Sequence, residues 1–216
     1  MSAETKADLA YALIRERVLD ESYVAGHRLV ITQLVRETGI SGIPWREAFR
    51  RLETEGWVEL ERNVGARVAT FDAAEYARSG KVLALLGGYA TAAALQRLSA
   101  VDVGSARAIN EAMARAEADH EPDRCAALDR EFHFVFHARA GDAHLCRVIA
   151  TEWDRLDMIR RTCAPRASGR HQEAVDEHAE LLELLAGRQP AGEVEDFTRR
   201  HFMQMVCDPV YDPAGT

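Results

Sequence analysis

Three residues within six positions restrict the N-terminal part of this chain to short helices joined by a tight turn. Gly39 follows an apolar helical pattern over about 31–38 and suits the left-handed conformation that ends a helix. Ser41 can cap the next helix, and Pro44 falls in its first turn, where the missing N–H is harmless. The pattern therefore predicts two helices joined by a turn, the second and third helices of the chain, and the third reaches about Glu55.

The neighbouring segments complete a small domain. Residues 7–20 place apolar side chains four, three and four residues apart, which predicts a first helix. After the third helix, alternating apolar and polar residues flank Asn63, Val64 and Gly65, which indicates a hairpin of two short strands. Three short helices and a hairpin are typical of a winged helix-turn-helix domain.

The chain beyond residue 75 has a different pattern, helical throughout. Turn residues divide it into six predicted helices: Val82–Leu98, Ala106–Ala118, Asp129–Ala140, His144–Ile159, Gln172–Leu185 and Glu193–Val206. We expect a mainly α fold, with a winged helix-turn-helix over 1–72 and an antiparallel all-helical bundle over 73–208. Residues 209–216, which hold two prolines and a glycine, are expected to form a loose tail.

Net charge does not exclude a DNA-binding protein. The chain carries a formal charge of −8, but residues 1–70 hold 10 basic and 11 acidic residues and the remainder holds 17 and 24. The acidity therefore lies mainly in the part that need not face DNA. No stretch has the roughly 18 apolar residues that a membrane span needs, and no signal-peptide pattern is present, so we expect a cytoplasmic protein without a membrane partner.

The third predicted helix has the side chains of a DNA-reading helix. Arg46 and Arg50 are four residues apart and project from one face, while Arg51 lies about 100° around the helix, towards a phosphate strand. Arginine binds guanine and phosphate through two parallel hydrogen bonds. Three arginines on a helix can also be a solvated face, but the turn, the proline and the hairpin together favour DNA.

Residues 11–58 resemble the winged-helix domain of the GntR family of bacterial transcription regulators. The family's Pro-x-Arg-Glu-Ala core is present as residues 44–48, PWREA. The resemblance implies that Arg46 and Arg50 approach double-stranded operator DNA, that Arg36 lies near its backbone, and that the protein is a homodimer on a two-fold symmetric site. We add Ser41 and, in the wing, Gly65 to the expected DNA-binding residues.

Several positions depart from that family pattern, among them Glu21 and Ala25, and the most serious departure is at position 42. The arginine expected after the cap serine, commonly a base-reading residue in the family, is Gly42 here. One lost bidentate contact costs roughly 1–3 kcal/mol per half-site in discrimination. We therefore expect an operator that differs from the family's usual half-site. A regulator that binds DNA weakly, or only with a partner, is the alternative.

The second half of the chain holds a possible metal site. Asp129 and His133 are four residues apart and share a helix face, and His178 and His201 lie on two later predicted helices. Imidazole and carboxylate together suit zinc, manganese, iron or nickel. Spacing alone leaves this open, because lone histidines in helices are usually surface or core residues.

The segments LDREFHFVFHARAGDAHL and DEHAELLELLAGRQPAGEVEDFTRRH resemble the FCD effector domain of the FadR-like branch of the same family. In metal-binding members the Asp and His of the first stretch and the two later histidines are the ligands, which here are Asp129, His133, His178 and His201. The resemblance implies a divalent transition metal, with zinc first and nickel or manganese as alternatives. It leaves open whether His137 or His171 joins the pocket.

The same resemblance implies a small carboxylate effector, held by the metal and a nearby arginine. Arg160 and Arg161 are the candidates, with Arg166 and Arg170 close by, although as a group these arginines can equally be a solvated turn. A ligand-responsive transcription regulator is the leading hypothesis. The alternative is a helical metal-dependent enzyme that uses the Asp/His site, although it has no obvious general base and leaves the N-terminal domain unexplained.

Overall fold

The computed structural model describes residues 5–61, 65–70, 73–163 and 170–206. Within these ranges the chain forms nine helices and three short strands. It divides into two compact units, Met1–Asp72 with Asp154–Ala164, and Ala73–Trp153 with Pro165–Thr216. The predicted class, mainly α with a winged helix-turn-helix before an all-helical domain, is confirmed.

The predicted domain limits stay predictions. Residues 71–72, which include the first predicted limit, and 207–216, which include the second limit and the tail, lie outside the described residues. Among those described, no helix combines the length and the apolar character that a membrane span requires.

The first unit is built from three helices and a small sheet. Its elements are α1 (Lys6–Leu19), β1 (Arg28–Val30), α2 (Ile31–Thr38), α3 (Gly42–Thr54), β2 (Val58–Glu61) and β3 (Gly65–Val68). Trp45, Phe49 and Leu52 on α3 are fully buried against Ile14 of α1, and this apolar cluster positions the third helix.

The turn between α2 and α3 follows the prediction. Gly39 has φ 71°, the left-handed conformation, and its N–H donates to the carbonyl of Val35. Ser41 occupies the N-cap position of α3 with extended backbone, but its side chain makes no capping hydrogen bond. The serine therefore marks the helix start through its backbone conformation, not through the predicted side-chain cap.

The wing contains one more strand than the sequence predicted. β3 lies in the middle of the sheet, with β1 and β2 antiparallel on either side of it. β1 has only three residues and pairs with a strand far along the chain, so it has no local signal of its own. Asn63 and Val64, at the predicted hairpin turn, lie outside the described residues.

The second unit contains the long helices. They are α4 (Ala73–Ala94), α5 (Ala100–Ala118), α6 (Pro122–His137), α7 (Ala143–Cys163), α8 (His171–Ala186) and α9 (Ala191–Val206). Phe132 and Phe136 of α6 pack with Leu181 and Leu185 of α8 in an apolar cluster. The end of α7, from Asp154, is counted with the first unit.

Candidate metal centre and nucleic-acid interface

Four side chains from three helices converge inside the second unit. Asp129 and His133 come from α6, His178 from α8 and His201 from α9, and all four are buried. The three histidine Nε2 atoms are 3.1, 3.2 and 3.3 Å apart. Asp129 Oδ1 lies 3.2 Å from His178 Nε2 and 3.8 Å from His133 Nε2. The structure thus brings together all four residues that the sequence selected.

Two of the histidines are oriented by partners on their other ring nitrogen. Asn110 on α5 donates from Nδ2 to the Val175 carbonyl, so its Oδ1 accepts from His178 Nδ1, at 3.0 Å. Glu177 Oε2 accepts from His201 Nδ1 at 2.6 Å. Because both Nδ1 atoms carry the proton, each Nε2 presents a lone pair to the centre. Such outer partners are typical of histidines that ligate metals.

The donors fit a metal ion better than they fit one another. Lone pairs on His178 and His201 Nε2 face each other and Asp129 Oδ1, an oxygen that has no hydrogen-bond donor among the described residues. Zinc binds imidazole nitrogen at about 2.0–2.1 Å, which separates tetrahedral donors by about 3.3 Å. The observed spacings of 3.1 to 3.3 Å between the nitrogens are close to that value.

Burial keeps the His133 and His178 imidazoles neutral and available as ligands. Burial lowers the pKa of His133 well below its ordinary value, and the neighbouring histidines lower it further. Burial also lowers the pKa of His178, although Asp129 opposes the shift. The ring of Phe132 stacks on His178 at 3.8 Å between centroids, which excludes water from that side.

A glycine on α4 allows close packing beside the centre. A Cβ on Gly87 would lie 2.6 Å from the ring of Phe202, so only glycine allows this approach of α4 and α9. The Phe202 ring in turn lies 4.4 Å from the ring of His133. Gly87 cannot be recognised from the sequence, because nothing local marks a glycine inside a helix as a packing position.

The two undecided histidines occupy different places. The His137 ring is 6.1 Å from that of His133, is buried, and has no partner on either nitrogen among the described residues. Burial lowers the pKa of His137 to about 3. His171, by contrast, bonds Glu117 through Nδ1, so it is not part of the four-residue centre.

The arginines expected to grip an effector have other partners where they are described. Arg160 donates to Asp157, one turn earlier on α7, and Arg170 donates to Glu177. The side chain of Arg161 and the whole of Arg166 lie outside the described residues. An effector contact from Arg160 or Arg161 stays a prediction.

The first unit presents an exposed basic face on α3. Arg46 and Arg50 are exposed, as is Arg36 on α2. Across the described part of the chain, these three guanidinium groups have no hydrogen bond or ion pair. Side chains that are solvated and unpaired are ready to bind phosphate or base edges.

Arg51 has partners within the fold. Its guanidinium group lies 3.7 Å above the centroid of the Tyr11 ring and forms ion pairs with Asp8 and Glu55. The Tyr11 hydroxyl also donates to Glu55. Arg51 thus ties α3 to α1, and its expected phosphate contact stays a prediction.

Gly42 and Gly65 differ in what a side chain would meet. A Cβ on Gly42 would lie 3.5 Å from Ile31, an ordinary contact, so the fold does not require glycine there. A Cβ on Gly65, at φ 152°, would lie 2.1 Å from the Leu29 carbonyl oxygen. Gly65 is therefore needed for β1 to pair with β3, and its expected DNA contact stays a prediction.

Comparison with known families identifies both units. Residues 6–68 match the bacterial regulatory proteins of the gntR family, and residues 80–204 match the FCD domain. The chain belongs to the GntR family, in the branch that carries an FCD domain. It is a transcription regulator and not an enzyme, so the enzyme alternative was wrong.

Solved structures share this fold over nearly the whole chain. E. coli McbR/YncC is 18% identical, with a TM-score of 0.72 over 96% of this chain and 97% of that one. A GntR transcriptional regulator from Rhodococcus sp. RHA1 is 15% identical, with a TM-score of 0.68 over 91% and 93%. Lar, which controls the expression of the Listeria monocytogenes agr system, is 18% identical, with a TM-score of 0.63 over 95% of this chain and 97% of that one. No curated protein is significantly similar in sequence.

Proposed function

We propose that this GntR-family protein is a dimeric, ligand-responsive regulator that senses a small carboxylate at a metal ion in its FCD domain. The convergence of three buried imidazole Nε2 atoms within 3.3 Å carries the proposal. The Nδ1 atoms of His178 and His201 already have hydrogen-bond partners, so the orientation of these two rings is set before any ion binds. Action on operator DNA implies a cytoplasmic location.

The metal is proposed to be zinc, with nickel or manganese as alternatives, held by Asp129, His133, His178 and His201. Three histidines and one carboxylate leave coordination positions for a ligand on a metal that accepts five or six donors. The ion supplies a Lewis-acidic position that binds a carboxylate oxygen. The chain's own residues orient the ligands, and Phe132 and Phe202 keep the surroundings apolar.

The proposed operator contacts come from α3 and its neighbours. Arg46 and Arg50 would reach base edges, and Arg36 would bind the DNA backbone. All three are exposed and without ion pairs in the described part of the chain, which supports this assignment. Gly42 in place of an arginine supports a half-site that differs from the family's usual sequence.

Dimerisation is supported by an apolar stripe on α4. Val82, Leu85 and Tyr89 lie three and four residues apart, on one helix face. Their exposed fractions are 41%, 59% and 57%, high for apolar side chains on consecutive turns. A second copy that covers this stripe would remove the apolar surface from water. We propose that the α4 stripe lies in the homodimer interface.

Effector binding and DNA binding would be coupled because the effector binds two states of the dimer with different affinities. One of these states binds operator DNA and the other does not. A ligand shifts such an equilibrium only by the difference in its affinity for the two states. The coupling is reciprocal, so operator DNA should change effector affinity by the same factor.

The test is footprinting on DNA from upstream of the protein's own gene, at low salt. It uses zinc-loaded and chelator-stripped protein with a panel of small carboxylates. We expect Arg46→Ala and Arg50→Ala to lose protection and Arg107→Ala, an exposed arginine of the second unit with the same charge change, to keep it. His201→Ala should keep DNA binding but lose the effector response. Failure of the intact protein to retard this DNA would refute the operator assignment.

A further inference from the structure

A second group of metal-binding side chains lies in the helical unit, apart from the four-residue centre. Glu117 comes from the last turn of α5, Cys125 from the first turns of α6, and His171 is the first residue of α8. One donor atom from each lies within 4.8 Å of the others. None of the three belongs to the Asp129, His133, His178 and His201 set.

The separations between these donors suit a shared ion. Glu117 Oε2 lies 3.0 Å from His171 Nδ1 and 3.7 Å from Cys125 Sγ. Zinc binds thiolate at about 2.3 Å and nitrogen or oxygen at about 2.0–2.2 Å. Tetrahedral donors at those lengths are about 3.3–3.6 Å apart, so small side-chain movements would complete the arrangement.

The surroundings are closed on one side and open on the other. Cys125 is fully buried, in an apolar cluster with Met113, Ala116, Ala174 and Val175. The side chains of His171 and Glu117 are 19% and 28% exposed. A cation can therefore arrive from solvent, and water can fill a fourth position on the open side.

The charges around the thiol favour a cation. Burial and the negative charges of Glu117 and Glu121 together raise the pKa of Cys125 to about 11. The thiol is therefore protonated when no ion is bound. A bound divalent cation replaces that proton, which passes to solvent, and it offsets the two carboxylate charges.

We propose that Glu117, Cys125 and His171 form a second divalent-metal site, of the zinc class, with one thiolate, one imidazole and one carboxylate ligand. Thiolate as a ligand selects zinc and similar borderline or soft ions over magnesium and calcium. The site joins the end of α5, the start of α6 and the start of α8, so an ion there stabilises the junction of three helices. It does not depend on the proposed effector response.

Cobalt(II) tests this site separately from the four-residue centre. Cobalt bound to thiolate gives an intense ultraviolet charge-transfer band, and the Asp/His centre has no cysteine, so it cannot produce that band. Full-length protein is stripped with a chelator, kept reduced with a phosphine and titrated with Co²⁺. We expect the band to saturate at one equivalent for this site, and to persist in His178→Ala.

The variants decide which thiol is involved. Cys125→Ser should abolish the band, while Cys146→Ser, the matched control, should keep it. Glu117→Gln and His171→Gln alter partly exposed side chains, so they should fold. Each substitution should weaken cobalt binding at this site at least about tenfold. Loss of a residue that only orients a metal ligand already costs about that much affinity.

Absence of the band in the intact protein overturns the proposal, as does a band that survives Cys125→Ser. If Cys125→Ser does not fold, the two glutamine variants still decide. Cobalt affinity unchanged in both would show that Glu117 and His171 are only a hydrogen-bonded pair beside a buried thiol and would overturn the proposal.

Discussion

Replacing Asn110 should weaken metal binding without touching a ligand. Asn110 is 7% exposed and makes two hydrogen bonds, from Nδ2 to the Val175 carbonyl and from His178 Nδ1 to its own Oδ1. Asn110→Leu keeps the approximate volume and removes both. His178 is then free to change tautomer or to rotate, and its Nε2 no longer points reliably at the centre.

The magnitude follows from the two bonds that are lost. Loss of a partner that orients a ligating histidine costs about 10–100-fold in metal affinity, or about 1.4–2.7 kcal/mol. In the metal-free protein, the unpaired carbonyl and ring N–H each cost about 1–3 kcal/mol of the free energy of unfolding. Asn110→Leu should therefore lower both zinc affinity and the Tm of the metal-free protein.

Asn110→Asp separates these two effects. Its carboxylate still accepts from His178 Nδ1, and its charge makes the imidazole a stronger ligand. It cannot donate to Val175, so the metal-free Tm should fall as in the leucine variant. Zinc affinity, however, should equal or exceed that of the unmodified protein.

The assay is competition for zinc against a chromophoric chelator at fixed pH, with calorimetry of the metal-free proteins alongside. Agreement requires the leucine variant to lose at least about tenfold in affinity and the aspartate variant to lose none. Equal affinities for all three proteins would refute the inference that Asn110 orients His178. Equal losses in both variants would mean that packing, not the hydrogen bond, sets the ligand position.

Three further perturbations test other parts of the molecule. Gly42→Arg should fold normally and bind a family-type half-site more tightly, by roughly 1–3 kcal/mol per half-site in quantitative gel shifts; no gain would mean that α3 docks differently. Leu85→Glu should shift the protein from dimer to monomer in analytical sedimentation, because it puts a charge in the α4 stripe. The control, Leu60→Glu on the wing, should leave the dimer intact. The Arg139 hydrogen bond and Ser99 lower the pKa of Asp102 to about 2 from 3.8, so its ion pair stabilises the protein above about pH 4 and is lost as the pH falls towards 2. Asp102→Ala should thus lower the Tm at neutral pH, and the difference should shrink over that window; a constant difference would contradict this reasoning.

The sequence predicted the parts of the fold that have local signals. Gly39 ends α2 at the predicted residue because a left-handed conformation favours glycine. The starts of α5 and α6 lie six and seven residues before the predicted ones. Ser99 and Asp102 form a capping box, and Pro122 is the first residue of α6. Both signals are present in the sequence but lie outside the apolar periodicity that predicts these helices.

The candidate site also has residues that a sequence signal marks and residues that no such signal marks. The four expected ligands have recognisable spacing and context, and the structure brings them together. Asn110 and Glu177 act on those ligands from other positions, and the contact of Asn110 with His178 joins residues 68 apart in sequence. Glu177 had one available signal, since it directly precedes His178. Arg51 could not be assigned to Tyr11 from helix spacing, because that contact depends on how α1 crosses α3.

The contact of Arg51 with Tyr11 also limits what regulation can change. Since the stacked guanidinium and the Tyr11–Glu55 bond fasten the end of α3 to α1, α3 has little freedom of its own within the first unit. Effector binding would then leave the geometry of Arg46 and Arg50 within each half-site intact. The preferred base sequence of a half-site should be the same with and without effector, and only the occupancy of the operator should respond.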